Sequence, residues 1–236
     1  MDNPPTMKYL GNHHDRPRQA FTLIEMITVI AIMAIIAALV VSMGQQAAQK
    51  KKMVAVTAEM TRLVSLIDNY YAKLNYYPPD NGALISNTVN LSIYDALAAT
   101  NPLIYELTGA TNTNSSSGAS LLVFDSTNNS VSLPASAYQT VFNRGGIANG
   151  DSVEPHNFFQ PGPSSKEYSY YYTNSSPWVY GLLVPVEFID PKVPNFWHYD
   201  SSTTNRHNLA TYDLWAEFSI GSKNGKPTII TNGNWK

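Results

Sequence analysis

The chain has 236 residues, of which 44% are hydrophobic and 14% charged, with a formal net charge of −2. With no cysteine, thiol catalysis, thiolate metal sites, disulfides and a thiol redox switch are excluded. With Lys50, Lys51 and Lys52 as its basic run, the chain also lacks the footprint of a nucleic-acid-binding protein.

Residues 1–20 form a short leader in which Lys8, Arg16 and Arg18 stand against Asp2 and Asp15. From Phe21 to Met43 follow 23 residues whose single charge is Glu25. At about 1.5 Å of rise per residue, a helix of that length spans the roughly 30 Å of bilayer hydrocarbon. The apolar core of a secretory signal is shorter, about 7–15 residues, and no A-x-A-like site stands at Ser42-Met43-Gly44. Few soluble helices stay apolar all round for so long, so a membrane helix over 21–43 is the reading. Glu25 is costly there. It must snorkel to the headgroups, become neutral, or find a partner.

Beyond the span, Met53, Val56, Met60, Leu63, Ile67, Tyr70 and Leu74 recur in steps of three and four, one apolar stripe on a helix. Thr57, Glu59, Thr61, Arg62, Asp68 and Lys73 fall on its wet face. Pro78-Pro79 ends the pattern, and Gly44 reads as an ordinary tolerated glycine. One helix is therefore expected from about Phe21 to Asn75, amphipathic over 44–77, ahead of a single globular domain over 78–236.

Within that domain, Thr111 to Ser117 and Ser126 to Ser130 read as exposed loops. Leu121 to Phe124, Tyr168 to Thr173 and Val179 to Val184 are strand candidates. The strongest is Tyr212 to Ile220, where Tyr212, Leu214, Ala216, Phe218 and Ile220 alternate with Asp213, Trp215, Glu217 and Ser219. Ser222 to Pro227 reads as a turn, with Thr228 to Thr231 returning antiparallel. The sum is an α+β arrangement, a long helix against a small antiparallel sheet.

Enzymatic signatures are missing: no G-x-S-x-G, P-loop or H-E-x-x-H occurs. His13 and His14 fall in the leader, while His156, His198 and His207 lack ligand spacing and read as satisfied surface or core groups. Gly145-Gly146 and Gly221 stand in ordinary turn contexts. The aromatic cluster Tyr168 to Tyr172 reads as core and sheet face.

Ala20-Phe21-Thr22-Leu23-Ile24-Glu25, with the apolar run to Met43, resembles the processing and assembly signal of type IV pilins and of the pseudopilins of type II secretion systems. The resemblance implies a cytoplasmic leader that a prepilin peptidase removes at Ala20–Phe21, followed by N-methylation of Phe21. It also implies an assembly charge pair, Glu25 of one subunit with the Phe21 amine of the next, two charges tolerated together in lipid. Ala20 stands where the family usually has glycine. Met33-Ala34-Ile35 and Ser42-Met43-Gly44 stand where relatives carry a mid-run glycine and a proline. Lys50 to Lys52 lie beyond the span, so orientation rests on the resemblance rather than on loop charge.

Tyr212-Asp213-Leu214-Trp215 and Asn234-Trp235 look like the end of the major pseudopilin, as do Asn69-Tyr70-Tyr71 and Tyr77-Pro78-Pro79. Asp190-Pro191 with Phe196-Trp197-His198-Tyr199 is a fainter echo. Those relatives hold a C-terminal loop with calcium, which wants six to eight oxygen ligands. Between Ile220 and Lys236 no Asp or Glu occurs, and Asp213 and Glu217 lie on a strand face, so no cofactor is expected and the loop would rely on backbone hydrogen bonds. The absent cysteine favours the pseudopilin over disulfide-closed adhesive pilins. The resemblance thus implies a pilin-like, non-enzymatic, single-pass inner-membrane subunit with its C-terminal domain in the periplasm or on a filament surface. Its partners would be the prepilin peptidase, other pilin-like subunits and an inner-membrane assembly platform, with no nucleic acid. The alternatives are a type IV pilin for adhesion, motility or DNA uptake, and a membrane-anchored extracytoplasmic binding protein that never polymerises.

Overall fold

In the computed structural model, residues 21–80, 101–114, 120–123, 133–134, 142, 146–160, 166–173, 176–189 and 193–235 are described. The chain forms two compact units, Met1–Gln46 and Ala47–Lys236. Helix α1, Leu23–Leu74, supplies the described structure of the first unit and the opening element of the second. Its sequence holds no proline, and helical structure continues through Gly44, where an added Cβ would meet nothing within 4 Å. The helix stops at Asn75, which takes the left-handed conformation (φ 66°) while its amide still donates to Tyr71 O at 2.8 Å. Termination thus comes three residues before Pro78-Pro79.

In the second unit the stripe on α1 is the core face. Val56, Leu63, Ile67 and Tyr70 are fully buried, Met60 and Leu74 pack at the margin, and Met53 stays exposed. Against them lies a short helix that the sequence did not announce, α2, Leu103–Thr108, in which every residue is buried. Having no wet face, it shows no amphipathic period. It is set by local chemistry instead: Asn101 Oδ1 accepts from Leu103 N at 2.9 Å, and Gly109 ends it at φ 67°. A Cβ on Gly109 would stand 2.6 Å from His156 O, so both the turn and the close approach require glycine.

Inside α2, Glu106 is a buried carboxylate. It accepts from Tyr70 OH at 2.9 Å and from the Ala148 and Asn149 amides at 2.8 Å each. Asn149 in turn donates to Glu106 O and His156 O, both at 2.7 Å, and accepts from His156 N at 2.9 Å. These bonds tie α1, α2 and the 147–156 segment into one buried polar network. Burial, and then the Glu106 charge, push the Tyr70 hydroxyl far above its ordinary value. His156 departs from the expectation of a satisfied histidine, because its Nδ1 is buried without a hydrogen-bond partner.

Among the described residues the strands form three small antiparallel sheets rather than one. The first joins β1 (Thr111–Asn114), β2 (Ser120–Val123) and β3 (Leu133–Pro134) in that order. Thr111 to Asn114 therefore pairs as an edge strand where the sequence reads as loop. Its polar side chains obscured the pattern, while its backbone aligns with Ser120 to Val123. Residues 115–117 and 126–130 of the expected loops lie outside the described residues, as does Phe124. The second sheet pairs β4 (Tyr168–Thr173) with β5 (Ser176–Leu182), and Leu183 adds one bridge to Phe196.

The third sheet, ordered β6–β7–β8, carries β6 (His198–Asp200), β7 (Asp213–Lys223) and β8 (Lys226–Gly233). Leu214, Ala216 and Phe218 are fully buried and join the α1 stripe in one core, as the period-two pattern implies. The turn is tighter than the sequence reading. Asn224 (φ 54°) and Gly225 (φ 76°) form a two-residue loop whose doubly positive φ matches strand twist. Pro227 faces Ser222 on an edge strand, where its missing donor is harmless. Gly221, read as a turn glycine, sits at a β-bulge with φ 146°. Two bonds fix this sheet on α1: Lys52 Nζ donates to Ser219 O at 2.8 Å and Asn232 Nδ2 to Thr57 Oγ1 at 3.1 Å.

Candidate assembly and processing segment

Leu23–Val40 has a mean hydropathy of 2.8, and none of it is buried within the chain. At 1.5 Å per residue this window alone is about 27 Å long, enough to cross the hydrocarbon of a bilayer. Side chains on every face are exposed, so water is the wrong solvent for this helix; lipid or other helices must cover it. Thr28 Oγ1 donates to Ile24 O at 2.7 Å, which satisfies the hydroxyl inside its own helix.

Glu25 lies in the first turn of α1, and its partner within the chain is Thr22. Its Oε2 accepts from both Thr22 N and Thr22 Oγ1 at 2.8 Å, while Thr22 Oγ1 accepts from Glu25 N at 3.3 Å. This is a capping box, two residues satisfying each other's free donors at the helix start. The sequence analysis passed over Thr22, although Thr-x-x-Glu ahead of an apolar run is the signature of that box. The box holds the carboxylate at the apolar helix's N-terminal end, next to Phe21, which is 80% exposed. Ala20 lies outside the described residues.

Calcium can be tested against the carboxylates of the β6–β7 region. Asp80 accepts from Ser201 N at 2.6 Å, Ser202 N at 3.0 Å and Ser202 Oγ at 2.6 Å. Asp200 accepts from Ser202 N at 3.0 Å, Thr203 N at 2.9 Å and the Thr203 hydroxyl. Asp213, which the alternation placed on an outer strand face, is buried under the loop and accepts from His207 N at 2.6 Å and Asn208 N at 2.9 Å. The three carboxylates are thus spent on loop amides and hydroxyls, and among the described residues no three acidic or His side chains gather as a metal-binding group. The β6–β7 loop is held by these side-chain carboxylates. Asp190 and Pro191 lie outside the described residues.

This network makes stability acid-sensitive. Burial acts to raise the Asp200 carboxyl, but hydrogen bonds from Thr203, the Asp80 carboxyl and Ser202 N outweigh it and hold the group below its ordinary 3.8. A depressed carboxyl contributes stability above its unfolded value, and that contribution is lost as pH falls through the folded value. Melting temperature is therefore expected to drop as pH is lowered from about 5 towards 2, and Asp200→Asn to flatten the drop while lowering the plateau at neutral pH. Thermal melts across that range check both.

Residues 15–41 match the family model of the prokaryotic N-terminal methylation motif. The matched stretch contains Ala20, Phe21, Thr22 and Glu25 and nearly all of the exposed apolar helix, and it supports a type IV pilin-like, prepilin-type protein. The motif implies processing by a prepilin peptidase and assembly with pilin-like subunits, a family of structural subunits. No curated protein and no solved structure matches the chain.

Proposed function

We propose that this chain is a prepilin-like subunit of a type II secretion pseudopilus, the periplasmic filament that helps move folded proteins across the outer membrane. The prepilin peptidase cuts at Ala20–Phe21 and the new Phe21 amine is methylated. The apolar helix then rests in the inner membrane until an assembly platform draws it into the filament. There the Phe21 amine of one subunit meets Glu25 of its neighbour. The chain has no catalytic role of its own.

The observation that carries this reading is the Thr22–Glu25 box at the head of an apolar helix that its own chain leaves fully exposed. Capping alone would serve a plain anchor and needs no charge, since a glutamine caps as well; a charged group at this place is of use to a subunit passing from lipid to filament. Tyr212-Asp213-Leu214-Trp215, Asn234-Trp235 and the lack of cysteine support the pseudopilin over a surface pilin.

Deleting the gene tests the assignment. Folded exoproteins are expected to accumulate in the periplasm while twitching motility and DNA uptake stay intact. Normal secretion with lost motility or uptake would assign the subunit to a surface pilus instead.

A further inference from the structure

One end of the Ala47–Lys236 unit carries a surplus of lysine. α1 enters this unit through Lys50, Lys51 and Lys52. The first two are exposed, and Lys52 spends its ammonium on Ser219 O at 2.8 Å. Contacts between the third sheet and α1 step backwards along the helix as β7 runs on. Asn232, the register partner of Ala216, reaches Thr57; Ser219 meets Lys52; and a Cβ on Gly221 would stand 3.5 Å from Gln49 Nε2. The Asn224-Gly225 turn, further along still, therefore lies at the end where α1 enters. Lys226, exposed, opens β8 from that turn, with Lys223 as its register partner.

Neither stretch supplies a carboxylate to offset these charges: no Asp or Glu occurs from Gly44 to Ala58 or from Ile220 to Lys236. On the adjoining flank, Lys52 and Lys166 share a cavity with Glu59, Glu167 and Glu187. Arg62 pairs with Glu59 and with Glu167. Among the described residues that flank is thus balanced, Lys52, Lys166 and Arg62 against the three carboxylates. The charge of Lys50, Lys51 and Lys226 is left over.

Residue type and tether narrow the partner. Lysine is a compact charge on a flexible stem, suited to a diffuse plane of negative charge rather than to bidentate capture of one anion. Each Cα–Cβ bond of a helix leans towards its N-terminus, so Lys50 and Lys51 lean back towards the apolar run. Lys50 follows Val40, the end of that membrane-length window, by ten residues, about 15 Å of helical rise. The chain itself thus keeps these lysines near the headgroups of the bilayer that takes up the apolar run, at high effective concentration. A lysine beside an anionic membrane adds about fivefold to the preference for it. We propose that the end formed by Lys50, Lys51 and Lys226 docks on an anionic phospholipid surface. Docking restrains the globular unit against the bilayer that anchors it. It rests on the apolar helix lying in lipid and is indifferent to the kind of filament the subunit joins.

Amine acetylation, read by peptide mass spectrometry, tests the docking lysine by lysine. The full chain is placed in lipid nanodiscs of phosphatidylcholine alone or with one-third phosphatidylglycerol. Lys73, exposed in the last turn of α1, is the internal reference. In the anionic discs Lys50, Lys51 and Lys226 are expected to react about fivefold more slowly than in the neutral ones, with Lys73 unchanged. Raising salt from about 0.15 to about 1 M is expected to remove the difference. Lys50→Gln combined with Lys51→Gln is expected to return Lys226 to its neutral-disc rate without moving the melting temperature, which separates docking from folding. Equal rates in the two discs overturn the proposal, as does protection that survives high salt. Protection that appears only in assembled filaments would give these lysines to an acidic face of a neighbouring subunit and overturn it too. A chain that enters neither disc, read separately by flotation, overturns the membrane reading beneath it.

Discussion

Glu25→Ala is expected to leave the protein processed and in the membrane but to abolish its entry into filaments. Removing one partner of a charge pair in a low-dielectric setting costs about 3–5 kcal/mol, because the other charge stays buried and uncompensated. Per subunit that is a factor of roughly 10² to 4 × 10³ in the association constant, enough to empty a polymer that depends on repeated addition. The variant also loses both hydrogen bonds that Thr22 donates to the carboxylate, so the first turn of α1 frays. Thr22→Val separates the two contributions. It breaks the hydroxyl part of the box, keeps the carboxylate, and is expected to reduce assembly far less than Glu25→Ala. Sedimentation of sheared filaments, beside immunoblots of the membrane fraction, measures both. Wild-type filament yield from Glu25→Ala would remove the charge pair from the assembly mechanism.

The second large effect is expected in the globular unit, from Glu106→Ala. The Tyr70 hydroxyl and the Ala148 and Asn149 amides all lose their acceptor inside the core. Each buried donor left unpaired costs about 1–3 kcal/mol, so the sum is on the order of 3–5 kcal/mol after local relaxation. For a unit of this size that lowers the melting temperature by roughly 6–20 °C. Glu59→Ala makes the comparison. Glu59 pairs with Arg62 at 2.9 Å on a half-exposed surface, where Arg62 also reaches Glu167, and its loss is expected to cost below about 1 kcal/mol. Thermal melts of the two variants side by side test whether the α1–α2–147–156 network holds the unit together. Equal, small losses would contradict it.

What the sequence made legible followed from periodicity. The stripe from Val56 to Leu74 and the alternation through β7 each report a buried face, and the structure joins them in one core. The α+β class came from those two patterns. α2 escaped because its six residues are buried all round, and β1 because a polar edge strand looks like a loop. Burial of Asp213 escaped for a different reason. Alternation assigns a residue to a face but not to what folds over that face, and here the β6–β7 loop closes on it.

At the candidate site, the residue types were readable and the local geometry was not sought. The sequence marks Glu25 as costly in lipid, and the resemblance places its remedy in a neighbouring subunit. The nearest remedy lies three residues away, in Thr22. In the proposed assembly the box and the intersubunit pair are compatible: Thr22 would satisfy the carboxylate of a subunit held in the membrane, and the Phe21 amine of a neighbour would replace or join it. In that order the capping box would lower the cost of waiting, and the charge pair would favour the filament.

The central claim is that Ala20–Phe21 is a processing site and that the mature chain begins at Phe21. Intact-mass and N-terminal analysis of the protein isolated from its native membranes tests it most directly. The account predicts a chain that starts at an N-methylated Phe21. A chain that keeps residues 1–20, or one cut near Gly44, would contradict it and reduce the apolar helix to an anchor or a signal.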